Sequence, residues 1–399
     1  MTLIELFQKD PLDNIATCLT LKPDKLVLIG DGEDFDSHVT RYRALLDKYR
    51  LPTKIDGRRV TLTDINTVAA ELTEIVKGGD RCIIDLSGGD GVLLAAAGMV
   101  YQCYKDTHPV SLQTATGDGL GQGRPLPKLS VSDLINLYGG GIVSAEAPNS
   151  ELKEVNPIWQ AVSRNSEFWN RSVNTLNEFE RWAKTEKKGL EVTMDFYKIQ
   201  QSVSNYQDKR ARFDRLISDL DDCGVVSIRS RHEGHFQYTY TSGFARRCLR
   251  KEGNALEYKV LFEAQALRKD GRPFFNDCLL GVTIDWDNHV HPLVHGGVKD
   301  SKNEIDVLLM QGLTPVFISC KNGDISDGEL YKLNTVAQLF GGAHAKRLLV
   351  ATNFRPDNLD SLLSLQQRAR DMGISFMHHA AALTASGWRA LFLELFDNA

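Results

Sequence analysis

The sequence predicts an α/β fold in which two α/β domains are joined by a largely helical segment. Apolar runs at 25–30 and 81–86 alternate with helical patterns, as in a parallel sheet covered by helices. Beyond about residue 253 the pattern becomes a helix, three strands, a helix and a strand. Because 399 residues exceed one ordinary core, we assign a Rossmann-like domain to residues 1–149, a linking segment to 150–252 and a mixed α/β domain to 253–399.

In the first domain, the strand at 25–30 ends in glycine and leads through a polar loop into a helix over 41–50. A second helical pattern over 64–77 precedes the next strand, which turns through a Gly-rich segment into an Ala-rich helix. Gly- and Pro-rich sequence over 116–128 and 139–149 is expected to close the domain.

The linking segment differs in character, because charged helical patterns lead into two β-like runs at 225–229 and 236–240. This order is typical of a winged helix, although a plain linker with a small hairpin has the same pattern. Six basic residues flank the runs and either follow a phosphate backbone or form an ordinary solvated face. They are Arg229, Arg231, Arg246, Arg247, Arg250 and Lys251.

The third domain begins with a helix over 253–267, followed by a strand near 279–286 and a hairpin of strands at 304–309 and 315–321. A helix over 327–340 comes next. A strand, a helix, a strand and a terminal helix complete the domain at 347–351, 359–370, 374–377 and the chain end.

Composition limits the classes of function. A net charge of −5 argues against a protein that coats nucleic acid nonspecifically, but it allows a nuclease with an acidic metal site. The apolar runs are too short to cross a membrane, and the N-terminus has no leader pattern, so we expect a cytoplasmic protein. Seven cysteines without a Cys-x-x-Cys pair are expected to be reduced thiols. Because His289, His291 and His295 lack partners at zinc-ligand spacing, we interpret them as loop residues.

The predicted hairpin carries a group of polar residues. Strand alternation places Glu304 and Asp306 on one face, with Ile305 and Val307 on the other. Ser319 and Lys321 share a face of the second strand, while Cys320 turns into the core. If the strands pair, an acid, a hydroxyl and a lysine meet at one end, which favours a hard-metal site for magnesium or manganese.

In this interpretation Lys321 orients or deprotonates the attacking water and offsets charge on the phosphate. Glu257, on the first helix of the domain, adds a carboxylate. Lys332 on the following helix helps to hold substrate or is simply solvated. The alternative is that Asp306 and Lys321 form a cross-strand ion pair on a solvated sheet face.

The series Glu257 on a helix, Asp306 on a strand and Ser319-Cys320-Lys321 on the next strand resembles PD-(D/E)XK nucleases. Ser319 stands where that family usually has a carboxylate, and Glu304 or water compensates for it. The resemblance implies a restriction-endonuclease-like fold for the third domain. It also implies catalytic roles for these residues and a metal bound by Asp306, Glu257, Glu304 and the backbone carbonyl of Cys320.

The Gly-rich turn Ser87-Gly88-Gly89-Asp90 lies between a strand and a helix. Small residues at this position let the helix amides approach a phosphate, although such a turn also serves simply to pack a helix close to a sheet. No G-x-G-x-x-G pattern follows the first predicted strand, so an NAD or FAD domain is not favoured.

This turn resembles the Thr-Gly-Gly-Thr-Lys signature of CRISPR-associated Rossmann-fold (CARF) domains, with Asp90 and Gly91 in place of the last two residues. In such domains the loop after the preceding strand also contacts ligand, which implicates Gly30, Asp31 and Gly32. Its acids suit ribose or adenine groups better than phosphates.

The combination of both domains resembles the cyclic-oligoadenylate-activated nucleases of type III CRISPR systems. The resemblance implies a homodimer that binds one cyclic tetra-adenylate on its two-fold axis, and a Mn²⁺- or Mg²⁺-dependent cut in single-stranded DNA, supercoiled DNA or RNA. Two alternatives remain. One is a ligand-responsive CARF transcription regulator with an inactive nuclease domain, and the other is a sensor domain that itself cleaves the activator.

Overall fold

The structure is a computed structural model that describes residues 1–78, 81–114, 128–288, 302–323, 325–354 and 359–397. The Gly- and Pro-rich stretch at 116–127 lies outside the described residues, as do His289, His291 and His295.

The N-terminal part of the chain forms a five-stranded parallel sheet with the strand order β3-β2-β1-β4-β5. Its elements are β1 (Thr2–Leu6), α1 (Pro11–Leu21), β2 (Lys25–Gly30), α2 (Phe35–Lys48), β3 (Lys54–Arg59), α3 (Ile65–Gly78), β4 (Cys82–Asp85), α4 (Gly91–Tyr104) and β5 (Val110–Gln113). The predicted alternation of strands and helices is confirmed. The sheet changes winding direction between β1 and β4, which is where ligands of such folds bind.

The central strand β1 is the main element that the sequence prediction lacked. It pairs with β2 on one side and with β4 on the other, and Leu3 and Ile4 pack into cores on opposite faces. A run of five residues that contains Glu5 has too little periodicity to mark a strand. Strands β3 and β5 were not predicted for the same reason, since both are short and partly polar.

The middle of the chain contains a small antiparallel sheet of four strands in the order β7-β8-β10-β9. The elements that precede and surround it are α5 (Val131–Leu137), β6 (Gly141–Glu146), α6 (Val155–Arg164), α7 (Trp169–Glu180), β7 (Lys184–Glu186), β8 (Glu191–Asp195), α8 (Phe196–Ser202), α9 (Tyr206–Asp222), β9 (Val226–Arg231), β10 (His235–Tyr240) and α10 (Gly243–Cys248). Phe179, Phe196, Phe213 and Phe236 fill its core. The order of two helices and a hairpin is present, and the winged-helix interpretation stays a prediction.

The C-terminal part forms a six-stranded mixed sheet in the order β17-β16-β15-β14-β13-β6. Its elements are α11 (Asn254–Ala266), β11 (Arg268–Lys269), β12 (Arg272–Pro273), β13 (Asp277–Asp285), β14 (Lys302–Gln311), β15 (Thr314–Lys321), α12 (Asp327–Gly341), β16 (Lys346–Ala351), α13 (Leu359–Asp371), β17 (Ile374–Met377) and α14 (Ala385–Asp397). The predicted hairpin is present, because β14 and β15 pair in antiparallel fashion.

One segment differs from its sequence interpretation. Residues 139–149 were expected to close the first domain, but β6 lies within them and pairs with β13 at the edge of the C-terminal sheet. The predicted boundary after residue 149 therefore does not coincide with the division between the sheets. A short strand that begins with glycine becomes recognisable only when its long-range partner is known.

All seven cysteines have free thiols. None of the helices among the described residues has the length and apolar character that crossing a membrane requires.

A buried acid lies at the centre of the N-terminal sheet. Glu5 is fully buried beside Asp85 of the neighbouring strand, and neither of its side-chain oxygens has a hydrogen-bond partner among the described residues. Burial, and then the charges of Asp85 and Asp13, raise the pKa of Glu5 well above its usual value. Its carboxyl group is therefore held neutral in the folded protein.

We expect Glu5→Gln to stabilise the protein at neutral pH. Because the folded pKa exceeds the ordinary value of 4.5, the free-energy cost of keeping the carboxyl protonated grows as pH rises above 4.5. The amide removes this cost, and thermal denaturation at pH 7 should show a Tm higher by about 2–4 °C. The gain should disappear near pH 4.5, and an equal gain at both pH values would contradict the assignment.

Candidate functional site

Asp306 and Lys321 meet where the β14–β15 pairing ends. The backbone amide of Cys320 donates to Oδ2 of Asp306 at 2.6 Å, and Oγ of Ser319 donates to the same oxygen at 3.2 Å. A cavity of about 210 Å³ opens beside them, and its polar lining comes from β14, β15 and α12. These lining residues are Glu304, Asp306, Ser319, Lys321, Glu329 and Lys332.

The strand alternation expected around Asp306 is interrupted. Ile305 was predicted to face away from the acids, yet it lines the same cavity, and Val307 packs into a different core from Ile305. On the neighbouring strand, between the pairs Leu280–Val307 and Val282–Ile305, Gly281 has φ +57°, a left-handed conformation that few side chains tolerate. Glu304 still lies against the cavity, so the expected pair of acids is present without strict alternation.

Lys321 forms an ion pair with Glu329 of α12, with Nζ and Oε2 2.7 Å apart. The alternative interpretation, a cross-strand ion pair between Asp306 and Lys321, does not hold, because the ion-pair partner of Lys321 comes from the helix α12. Burial lowers the pKa of Lys321, but Glu329 and Asp306 outweigh it and hold the pKa above its usual value. Lys321 is therefore charged at neutral pH and can donate hydrogen bonds.

Glu257 of α11 approaches the same acids from a neighbouring cavity of about 310 Å³ that Glu146 and Gly281 also line. Burial, and then the charges of Asp306 and Glu304, raise the pKa of Glu257 to about 7. Burial also raises the pKa of Asp306, against the lowering effect of the Cys320 amide. Three carboxyl groups thus disfavour one another's charge, which is the situation that a divalent cation relieves.

The oxygens of these three carboxyl groups do not all lie within 4.8 Å of one another. Among the described residues, the ligand atoms of Asp10, Asp13 and His344 do lie that close together. Their ligand atoms are engaged in contacts between the two large sheets, described below.

A third cavity, of about 450 Å³, lies at the carboxyl ends of β1, β2 and β4 in the N-terminal sheet. Four of the predicted ligand-binding residues line it: Asp31, Gly32, Gly89 and Asp90. The sequence interpretation missed the lining residues that follow β1, because it missed the strand itself. These are Phe7, Gln8 and Lys9, and Glu33, Asp34 and Leu62 complete the lining.

The other three residues predicted to bind ligand do not line this cavity. They are Gly30, Ser87 and Gly88. A Cβ atom on Gly30 would lie 2.5 Å from Cβ of Phe7, and one on Gly88 would lie 2.8 Å from the carbonyl oxygen of Leu6. The Ser87 hydroxyl donates to Asp85. The two glycines therefore allow close packing, which was the alternative interpretation of the turn.

The start of α4 is already occupied by a carboxylate. Oδ1 of Asp90 accepts hydrogen bonds from the amides of Val92 and Leu93 at 3.0 and 2.9 Å. These are the amides that the turn was expected to offer to a phosphate. Among the described lining residues, Lys9 is the cation of this cavity, and Asp31 is paired with Arg59 at 2.8 Å.

The loop that carries Lys9 continues into contacts with the C-terminal part of the chain. Oδ1 of Asp10 accepts from the Tyr138 hydroxyl at 2.6 Å, and Oδ2 accepts from the Ala343 amide at 3.3 Å. Asp13 pairs with Nε2 of His344 at 2.8 Å. Ala343 and His344 directly follow α12, the helix whose first turn carries Glu329, so one helix connects the two cavities.

No family model and no curated protein matches this sequence. Two solved structures share its fold over almost the whole chain. The crystal structure of protein VC1899 from Vibrio cholerae has a TM-score of 0.71 and 19% identity, covering 99% of this chain and 97% of that one. Can2 from Sulfobacillus thermosulfidooxidans, solved in complex with cyclic tetra-adenylate, has a TM-score of 0.64 and 16% identity, covering 99% and 98%.

These likenesses concern the fold. The predicted α/β architecture, with a Rossmann-like sheet followed by a second mixed sheet, is confirmed. Over nearly its entire length the chain therefore has the fold of VC1899 and of Can2.

Proposed function

We propose that this protein is a cyclic-oligoadenylate-activated, metal-dependent nuclease of type III CRISPR defence. The observation that carries the proposal is the group formed by Asp306, Lys321 and Glu257 in a fold shared with Can2, which was solved with cyclic tetra-adenylate bound. The cavity of about 450 Å³ at the carboxyl ends of β1, β2 and β4 is the site proposed for the activator.

In the proposed reaction, Lys321 binds the phosphate at the bond to be cut. Its ammonium group is held by Glu329 and stays charged, so it stabilises the negative charge that develops on the phosphate oxygens. Lys332, exposed at the rim of the same cavity, attracts the neighbouring phosphate. Ser319 holds Asp306 by a hydrogen bond, and this is the role of the hydroxyl that replaces the family's carboxylate.

The carboxyl groups of Asp306, Glu257 and Glu304, with the backbone carbonyl of Cys320, are the proposed ligands of Mn²⁺ or Mg²⁺. Such an ion supplies charge neutralisation and activates the attacking water. The raised pKa values of Glu257 and Asp306 fit this role, because burial and the neighbouring acids disfavour their negative charge and a bound cation would favour it.

The proposed activator is cyclic tetra-adenylate, bound between two copies of the chain. Two apolar side chains of α4 support the pairing of copies, because Leu94 and Met99 are 37% and 46% exposed on a helix that begins at the cavity proposed for the activator. The acids of the cavity suit ribose hydroxyls and adenine amino groups, and Lys9 of each copy faces phosphate. The proposed substrates are single-stranded or supercoiled DNA and RNA.

Lys321→Ala should abolish the cutting while preserving the sensor. We expect at least a 100-fold loss of cleavage of single-stranded DNA, plasmid and RNA in manganese with cyclic tetra-adenylate, the size typical of a lost electrostatic stabiliser. Gel-based cleavage assays measure it, and Lys269→Ala at an exposed, distant position is the control. If the wild-type protein binds the activator but cuts nothing, the regulator with an inactive nuclease domain replaces this proposal.

Lys9→Glu should weaken activator binding by about tenfold or more, because it turns the cavity's cation into a further acid. Isothermal titration with cyclic tetra-adenylate measures the Kd, and Lys54→Glu on the exposed strand β3 is the control. Equal affinities of the two variants would place the ligand elsewhere. Analysis of the ligand after incubation shows whether linear products form, which decides whether the sensor domain cleaves its activator.

His344→Ala should reduce activation more than binding, because His344 touches neither cavity and joins α12 to Asp13. We expect the stimulation of cutting by cyclic tetra-adenylate to fall at least fivefold, with the Kd changed less than about threefold. Asp13 raises the pKa of His344 above 6.5, so the ion pair is complete below pH 6.5 and is lost as pH rises through the raised pKa. His235→Ala is the control, and equal stimulation in both variants would exclude this route.

A further inference from the structure

A polar cavity of about 520 Å³ lies where the loop before α7 meets the carboxyl ends of β15 and β16. Three asparagines, a threonine, an aromatic ring and an arginine contribute to its lining. They are Asn170, Asn322, Asn353, Thr352, Phe168 and Arg171. None of these residues lines any of the three cavities described above.

The cavity directly adjoins the proposed cleavage site. Asn322 follows Lys321 in the chain, and the amide of Thr352 donates to the carbonyl oxygen of Lys321 at 3.0 Å. Lys321 lines the cavity of the proposed cleavage site and Asn322 lines this one, so the two cavities lie at the same end of β15.

The asparagines provide a fixed surface of hydrogen-bonding groups. The Asn322 side chain is held by the carbonyl oxygen of Glu252 and by the Thr352 hydroxyl. Nδ2 of Asn170 donates to the Asn322 carbonyl oxygen at 2.6 Å, which leaves the Asn170 side-chain oxygen available as an acceptor. Oδ1 of Asn353 lies 3.1 Å from Nδ1 of His379. The cavity thus offers amide groups whose orientation is already set.

Phe168 and Arg171 complete the recognition surface. Phe168 is 41% exposed and lines the cavity beside the asparagines, so its ring is accessible for stacking. Arg171 is exposed, and within the described part of the chain its guanidinium has no ion-pair partner. Gly323, with φ +97°, keeps the wall open, because a Cβ atom there would lie 3.1 Å from Nδ2 of Asn170.

We propose that this cavity binds one unpaired base of the substrate, next to the phosphate that is cut. The base stacks on Phe168, its edge bonds to the amides of Asn170 and Asn353, and Arg171 contacts the adjoining phosphate. A paired base cannot enter, so the subsite selects single-stranded DNA or RNA. This inference rests on the proposed nuclease function and deepens it by assigning the residues that hold the base beside the cut.

The experiment combines an abasic scan with two variants. Single-stranded DNA and RNA oligonucleotides of mixed sequence, each lacking one base, are cleaved by the wild-type dimer with manganese and cyclic tetra-adenylate. The variants are Phe168→Ala and Arg171→Ala. Their controls are Trp182→Ala and Arg181→Ala, at exposed positions beyond the other end of α7.

In the wild-type protein, one abasic position next to the cut should reduce kcat/KM by about tenfold. In Phe168→Ala the intact oligonucleotide should lose a similar factor, and the abasic position should then cause no further loss. Arg171→Ala should raise KM with little change in kcat. A wild-type profile with no sensitive position, or a variant profile identical to it, overturns the subsite.

A binding arm separates this inference from the proposed function. Fluorescence anisotropy with the same labelled oligonucleotides and the Lys321→Ala protein measures affinity without cutting. If no protein cuts but Phe168→Ala in that background weakens binding about tenfold, the subsite stands and the nuclease proposal fails. Equal affinity with and without Phe168 overturns the subsite, whatever the cleavage assay shows.

Discussion

The hydrogen bond from the Cys320 amide to Asp306 determines how the proposed cleavage site is organised. It holds the acid at the point where β14 and β15 stop pairing, against the sheet and beside Lys321. Every other group reaches that point from a different element: Glu257 from α11, Glu329 from α12, and the amide-lined cavity from the loop before α7. The site therefore forms only when α11, α12 and the loop before α7 have packed against the β14–β15 hairpin.

Electrostatics explain why these groups are placed together. Burial, and then the charges of neighbouring acids, raise the pKa values of Glu257 and Asp306, an arrangement that costs stability without a compensating cation. On the other side, Glu329 keeps Lys321 charged. This separation of charges suits the proposed metal ion at the acids and the proposed phosphate at the lysine. The same separation recurs at the sensor cavity, where Asp90 satisfies the helix amides and Lys9 is left for the ligand.

The cavity at Lys321 and the cavity proposed for the activator are connected through the loop after β1 and the helix α12. The loop after β1 lines the cavity proposed for the activator. The chain continues through Asp10 and Asp13, which bind the residues that follow α12. The other end of that helix bears Glu329. A ligand that moves the loop therefore acts on the helix that positions Lys321, provided that it binds the two arrangements with different affinity.

The sequence by itself determined the α/β class, the β14–β15 hairpin and the group of Asp306, Ser319 and Lys321, because these depend on local periodicity and on residues close together in the chain. Only the tertiary structure decided the rest. The position of β1 at the centre of its sheet, the pairing of β6 with β13, and the partnership of Lys321 with Glu329 rather than Asp306 all join segments that are distant in sequence or lack periodicity. Long-range packing selects such contacts, and no local pattern records them.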